Sequence, residues 1–581
     1  MKSTLRVFIS MCFVFISIST LSFVSFAVSS RDYFQEGNFL LNSGKYDEAI
    51  KNYDRAIKID DDVPEFYYNK AVCLSNLGKY NEAIELYDRV IDLDSDFKEA
   101  YFNKGACLVE AHKLADALDT VSKYIERYRK DSEAYILKGY ILLNLKRYDE
   151  VVDISDKLIV MKIRDKKILS LAYSNKGNAF AYLGRIAEAF TASNKALELD
   201  GTNTDAYIAM SFAYNYDKNY AEAVKMCDKI IEINLNSVQA YINKAYFLLN
   251  DEKYEESIEC CNKAEQLDVP KNPNNQSGIF TNKSGALCAL KKYEEAILTA
   301  EKAIEFNPQA ANAYLNKGNA LGQLGKYEES ITACDKAIQI DSQAGAAFIP
   351  KSYSLGKLER YDEAIEACKK AIEICPKDDK LCAQAYSNMG LALNGKRKYE
   401  EALKNLEKAF EFDPKDPDTL SAIYTNKACA LIGLKKFTES LEYSEKAIEI
   451  DPAHYESYIN KSGALLGLLK YNEAIECCNK AIELKVADFR IYSNKGLALE
   501  NTGRLDEALL AFDKSLELKP NDKTETENRS RVSMKINTRR VGIIFAIFVL
   551  LALIAVITTI VITKKKKKPR RLEDIYKGID F

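Results

Sequence analysis

From Ser30 to Asp522 the chain alternates apolar and polar positions with a helical period, and that pattern recurs about every 34 residues. The clearest marker is an aromatic residue followed four positions later by a small residue and twelve further on by another. The aromatics are Tyr33, Tyr67, Tyr101, Tyr135, Tyr173, Tyr207, Tyr241, Phe280, Tyr314, Phe348, Tyr386, Tyr424, Tyr458 and Tyr492, which makes fourteen units. With the aromatic placed at position 4 of each unit, position 8 is Gly, Ala or Ser in all fourteen. Position 20 is Ala in ten, Ser in three (Ser257, Ser330, Ser440) and Val once (Val151). Two antiparallel helices approach closely only where side chains are small, so positions 8 and 20 are expected at a helix crossing. The aromatic at position 4 then fills the gap against the next helix.

Each unit reads as two helices. Stretches such as Leu77-Gly78-Lys79-Tyr80 and Leu324-Gly325-Lys326-Tyr327 carry Gly after an apolar run, a helix C-terminal signal. Acid pairs such as Asp47-Glu48 and Glu294-Glu295 then suit the positive end of a second helix. Pro308, Pro376, Pro414, Pro452 and Pro520 recur where that helix must stop. Position 20 steps by 34 except at four joins, where the connectors near 162–171, 270–278, 377–383 and 415–421 are longer. These are expected to be extended turns or local breaks in regularity. Pro350 should delay or kink the first helix of the tenth unit.

The register resembles the tetratricopeptide repeat family: aromatic 4, small 8, aromatic 17 (Tyr80, Tyr148, Tyr327), small 20, Ala 27 (Ala56, Ala303, Ala447) and Pro 32. Tyr or Phe replaces the family's usual Trp at 4, and Lys usually replaces the apolar residue at 7. The resemblance implies an all-α fold, a right-handed α-solenoid of about fourteen helical hairpins with a concave groove lined by the first helices. It also implies binding of proteins or peptides without catalysis, a cofactor or a small-molecule substrate.

Both ends carry apolar segments. Lys2 and Arg6 precede an apolar run from Val7 to Phe26, and Ser25-Phe26-Ala27 has the small residues of a cleavage site, so residues 1–27 read as a signal peptide or an uncleaved anchor. Val541 to Thr563 is uncharged and long enough to cross roughly 30 Å of hydrocarbon, and is expected to be a transmembrane helix. Residues 523–540 read as a polar linker or a terminal solvating helix. Residues 564–581 hold eight basic side chains against three acidic ones and are expected to be a cytoplasmic tail. The expected location is therefore single-pass in a plasma membrane or endomembrane, with the repeats on the non-cytoplasmic side. Formal charge is −3 for the whole chain, with +2 in the first 30 residues and +5 in the last 18, which leaves −10 on residues 31–563. An acidic array of this kind does not bind nucleic acid by counterion release.

The candidate site is a ladder of amides. Position 6 is Asn in ten units: Asn69, Asn103, Asn175, Asn243, Asn282, Asn316, Asn388, Asn426, Asn460 and Asn494. An amide offers donors and an acceptor, so a row of them could hold an extended peptide without reading its side chains. In some related solenoids Asn at this position faces the groove and grips peptide backbone. Lys at position 7 recurs beside acids such as Glu82 and Glu328 and is expected to form a solvated ion-pair face. Position 5 is never Lys, which disfavours a carboxylate clamp of the kind that binds chaperone tails.

Among fourteen Cys, Cys227, Cys261, Cys334, Cys368 and Cys478 share position 24 and are expected to pack as small hydrophobes, with Cys375 and Cys382 the best candidate disulfide. With only His112 and His454 and no C-x2-C, zinc is not expected. The phosphate-loop spacing at Gly390 to Lys396 fails because Arg397 stands where Ser or Thr is needed. Of the sequons at Asn275, Asn282, Asn460 and Asn528, Asn275 is the expected acceptor. These readings converge on a membrane-anchored interaction scaffold or receptor. A chaperone-like assembly or transport factor for exported polypeptides is the alternative.

Overall fold

The computed structural model describes residues 29–566 apart from 162, 485 and 486. The expected signal peptide and residues 567–581 of the basic tail lie outside them. Among the described residues are twenty-eight helices from Ser30 to Leu518, arranged in hairpins, and then one long helix, Lys523–Lys566. The chain divides into two compact units, with the boundary after Ala286 inside the helix Pro273–Ala289.

The two helices of a hairpin start for different reasons. Many first helices open on side-chain caps: Asp131 accepts from the Ala134 amide, Asn203 from Ala206 and Ser237 from Ala240. Most second helices open without such a bond and carry acids in the first turn, such as Glu294 and Glu295 or Asp362 and Glu363. The turn between them is a left-handed cap at position 15. Gly44 donates its amide to the Leu41 carbonyl, and Lys45 donates to Leu40. Position 15 has positive φ at Gly44, Gly78, Gly184, Gly325 and Gly503, as the glycine signal implied. In the other nine units it is His112, Lys146, Lys218, Glu252, Lys291, Glu359, Arg397, Lys435 or Leu469. The hairpin therefore imposes this backbone on side chains that disfavour it.

The helix crossing is the expected one with a further member. Ser257, Ser330 and Ser440 at position 20 donate their hydroxyls to the carbonyls of Ala245, Gly318 and Ala428 at position 8. Position 24 comes even closer. A Cβ added at Gly105 would lie 2.6 Å from Val121, at Gly390 2.7 Å from Leu406, and at Gly496 2.8 Å from Phe512. The five position-24 cysteines are almost wholly buried in this seam, and burial pushes the Cys227, Cys261 and Cys334 thiols up to about 12. Cys375 and Cys382 do not form a disulfide. Both are free thiols, and the Cys382 Sγ points at the Cys375 carbonyl, 3.5 Å away.

Three expectations about irregular places need correction or detail. The four longer joins are not extended turns: the first helices Lys166–Tyr182, Pro273–Ala289, Asp379–Gly395 and Pro417–Gly433 have 17 residues where most have 13. The inserted residues form one more helical turn, and Asp165, Asp378 and Asp416 cap it. In the tenth unit the α-helix starts late, at Phe348, after a 3-10 turn Gly345–Ala347. Pro350 then falls in the first turn, where its missing N–H costs no hydrogen bond. Residues 523–540 are helical, and they are not merely solvating. Asp522 caps the helix, Val532 and Ile536 are buried against the last hairpin, and Ser493 and Ser515 donate to the buried Glu525 carboxylate.

The helix Lys523–Lys566 opens as the first helix of a further repeat would. Arg529, at its position 7, pairs with Asp513 sixteen residues earlier, the same offset as Lys104 and Asp88. Arg531 and Lys535 both reach the buried Glu500 carboxylate at 2.8 Å. The helix then continues through Val541 to Ile562 with its apolar side chains exposed. It is long and apolar enough to cross a membrane.

Leu469 combines a φ of 62° with 69% exposure, so its side chain has little packing to lose. Leu469→Gly is expected to stabilise the chain by about 0.5–1 kcal/mol, the left-handed penalty less the glycine's extra unfolded entropy. A urea titration followed by helicity should show a higher midpoint, and a lower one would count against strain at this position.

Candidate binding face

Successive first helices touch one another, as do Lys166–Tyr182 and Thr204–Tyr216, while each second helix lies between two first helices. Within each unit the first helices are thus the more closely spaced layer, which places them on the inner side of any curvature.

The amides of position 6 sit between these first helices, and their N–H groups are used there. Asn282 Nδ2 donates to the Ile242 carbonyl at 3.0 Å, Asn388 to Ile349 at 3.1 Å, Asn426 to Ser387 at 3.2 Å, Asn460 to Thr425 at 2.9 Å and Asn494 to Ile459 at 3.2 Å. Asn175 reaches Ile136 at 3.5 Å. Every one of these acceptors is position 5 of the preceding unit. Asn388 and Asn494 also donate to Ser352 and Ser462, the small residues at position 8. Three members bond differently: Asn69 donates to Asn38, Asn103 to the Tyr68 hydroxyl, and Asn243 accepts from Gln239. The Asn316 backbone carbonyl receives the Cys288 thiol. None of the ten is exposed, and Asn175, Asn243, Asn426 and Asn460 are buried. Eight of the ten amides therefore stitch a first helix to the one before it. A glycan on Asn460 or Asn528 is incompatible with their burial, and the Asn275 amide donates to Asp268 at 2.8 Å.

The lysines of position 7 form ion pairs, although not with the acids next to them in the repeat. Lys70 pairs with Asp54, Lys104 with Asp88, Lys244 with Asp228, Lys317 with Glu301, Lys351 with Asp335 and Lys461 with Glu445, at 2.5–2.9 Å. Each carboxylate is position 25 of the preceding second helix. The lysine side chains are only 19–28% exposed, so their stems pack while the charges meet at the rim. Such partly exposed pairs contribute up to about 1 kcal/mol each and fix register between hairpins.

Sequence reading missed an aromatic strip on four consecutive first helices of the compact unit that ends at Ala286. Tyr140, Tyr182, Tyr216 and Tyr246 are 37–62% exposed, whereas most aromatics of the repeats are covered. Tyr182 stacks on Tyr148 at 5.0 Å and meets Phe212 at 5.5 Å, which meets Phe247 at 5.4 Å, beside Tyr246. Asn250 donates to Asn215 at 3.0 Å alongside. The signal was available: these tyrosines stand at positions 9 and 13, apart from the structural aromatics at 4 and 17.

Comparison with known proteins agrees with this geometry. TPR repeat profiles match residues 37–78 and 286–325, and tetratricopeptide repeat profiles match 64–97, 171–203, 238–268, 311–343, 352–415, 421–454, 455–485 and 489–522. Together these segments span more than half of the chain. It belongs to the tetratricopeptide repeat family. A chain from the crystal structure of the APC/C hetero-tetramer Cut9-Hcn1 aligns with a TM-score of 0.52 and 16% identity, covering 87% of this chain and 97% of that one. In all, 433 solved chains match, so the likeness identifies a fold and cannot choose a partner. No curated protein sequence matches. The class is a protein-interaction scaffold, and no catalytic domain is detected.

Loss of one stitch should be felt as stability. Asn460→Ala removes the second donor to the Thr425 carbonyl, which its own helix also bonds, and is expected to cost about 0.5–1.5 kcal/mol. The drop in urea midpoint should be clearly larger than for Asn501→Ala, whose amide bonds only within its own exposed helix end. Equal effects would show that the inter-helix bond contributes nothing special.

Proposed function

We propose that this chain is a membrane-tethered interaction scaffold that holds an extended segment of a partner along its first helices, on the non-cytoplasmic side. The observation that carries the binding part is the strip Tyr140, Tyr182, Tyr216 and Tyr246. Tyrosine brings a large apolar ring with a polar tip at little entropic cost, which suits it to recognition rather than to solvent. Few charges share this face, since Glu133 and Asp205 are the acids of positions 2 there. Burial raises the Asp205 pKa. The partner segment would therefore be apolar and uncharged. The amide ladder from Asn69 to Asn494 enters this proposal in two ways. Its N–H groups hold the first helices in register, and its Oδ1 atoms would accept from the backbone of the bound segment.

The tether rests on Val541 to Thr563, whose apolar side chains are covered by none of the other described residues. At about 1.5 Å per residue, 23 helical residues span about 34 Å, the thickness of a hydrocarbon core. Arg539, Arg540, Lys564 and Lys565 flank it. The basic excess after the span favours a cytoplasmic C-terminus, which leaves the repeats outside. A holdase for exported polypeptides uses the same surface and differs in accepting many unrelated unfolded clients.

Full-length protein in sealed vesicles, oriented as in the cell, tests both parts. External protease should degrade the repeats and spare a C-terminal fragment, and protected repeats would refute the orientation. A photo-crosslinker at position 216 should capture a discrete partner, with Tyr182→Ala lowering the yield about tenfold. Unchanged capture would remove the tyrosine strip from the proposal, and indiscriminate capture of unfolded proteins would favour the holdase.

A further inference from the structure

The ion pairs described so far join one repeat to itself or to its neighbour. Within the second compact unit, which begins at Leu287, two do not. Lys357, the last residue of the helix Phe348–Lys357, reaches Glu456, the second residue of Tyr455–Gly467, at 2.5 Å across 99 positions. Lys291, in the turn after Pro273–Ala289, reaches Asp418, in the first turn of Pro417–Gly433, at 3.0 Å across 127 positions. The polarity is the same in both. A lysine at the C-terminal end of an earlier first helix meets a carboxylate at the N-terminal end of a later one, so each charge also complements the dipole of its own helix. The first-helix layer of this unit has curved far enough to touch itself.

The Lys357 contact is also the more buried of the two. The side chains of Lys357 and Glu456 are 16% and 18% exposed. Arg490 approaches the same carboxylate at 3.6 Å and is itself held by Asp488 at 2.7 Å. His454 lies 3.8 Å from Glu456 and shares hydrogen bonds with Thr425 and Ser457. The Tyr353 ring lies beneath the Lys357 ammonium at 5.2 Å. Lys357 and Arg490 hold the Glu456 carboxyl down at about 2 against its burial, so it is ionised at any physiological pH. Cys429, half-buried, lies within electrostatic reach of both Arg490 and Glu456, and desolvation raises its thiol pKa. The seam thus covers side chains of the inner face that an open stack would present to solvent.

We propose that Lys357 and Glu456, with Lys291 and Asp418 beside them, form an intramolecular clasp that closes the inner face of the second unit, and that a partner reaches this face only after the clasp opens. This rests on the reading of the first helices as the binding layer, but the clasp itself is measurable with no partner present. A buried pair linked through rigid neighbours has two discrete states, paired and separated, because either charge left behind is costly. Separation moves whole repeats apart, because each partner is fixed on a packed first helix.

Cys429 reports the state of the clasp. In full-length protein in detergent, iodoacetamide labelling of Cys429 is followed by peptide mass spectrometry for the parent chain, Glu456→Gln, Lys357→Met and the control Lys351→Met. The control breaks a pair of equal length, Lys351 with Asp335, that joins adjacent repeats only. The two clasp variants should label Cys429 at least tenfold faster than the parent, at unchanged helicity by circular dichroism, and the control less than twofold faster. Parent-like labelling in the clasp variants overturns the proposal. So does equal acceleration in the control, which would mean general loosening, and so does acceleration accompanied by lost helicity.

Discussion

Everything in this molecule depends on how closely the two helices of a hairpin approach. Positions 8, 20 and 24 of each repeat meet there, and the distance is short enough for a position-20 hydroxyl to bond a position-8 carbonyl, as Ser330 does with Gly318. Such an approach leaves no volume for a side chain of ordinary size at position 8. It also lets volume move between partners: glycine at 390 and 496 faces Leu406 and Phe512, while serine at 352 and 462 faces Cys368 and Cys478. Close packing of this kind fixes the angle of each hairpin, and the fixed angle repeats along the stack.

Joining one hairpin to the next uses polar groups as well as apolar ones. The amide at position 6 bonds the preceding first helix, and the lysine at position 7 pairs with the preceding second helix. These adjacent positions thus hold both layers of the previous repeat at once. The last hairpin is finished the same way. Arg529 and Asn528 occupy the equivalent places on the helix Lys523–Lys566, so the apolar span begins on the solenoid's own register and not on a loose connector. The apolar segment is therefore continuous with a helix packed on the last hairpin.

Much of this was legible from spacing. The aromatic at 4 with small residues at 8 and 20 marked every hairpin, and five cysteines in register at position 24 announced a packing role. Other features were invisible for physical reasons. Nine of the left-handed turn positions carry no glycine, because hairpin packing overrides local preference at Lys146 or Leu469. The longer joins look like loops in a periodic reading, yet an added multiple of about one helical turn lengthens a helix without rotating its face. The lysine partners were misplaced to Glu82 and Glu328, since neighbours in sequence are not the nearest acids once helices stack. The clasp between Lys357 and Glu456 depends on curvature accumulated over several repeats, which no local pattern encodes.

The central claim is that position 8 is small because position 24 of the partner helix occupies the space. A double-mutant cycle at Gly390 and Leu406 tests it most directly, with each variant's stability taken from urea unfolding. Gly390→Ala alone should cost about 1–3 kcal/mol by overpacking and Leu406→Ala about 2–5 kcal/mol by leaving a cavity. Combined, the two should cost at least about 1 kcal/mol less than their sum, because the new methyl fills part of the void. Additive costs would contradict the account.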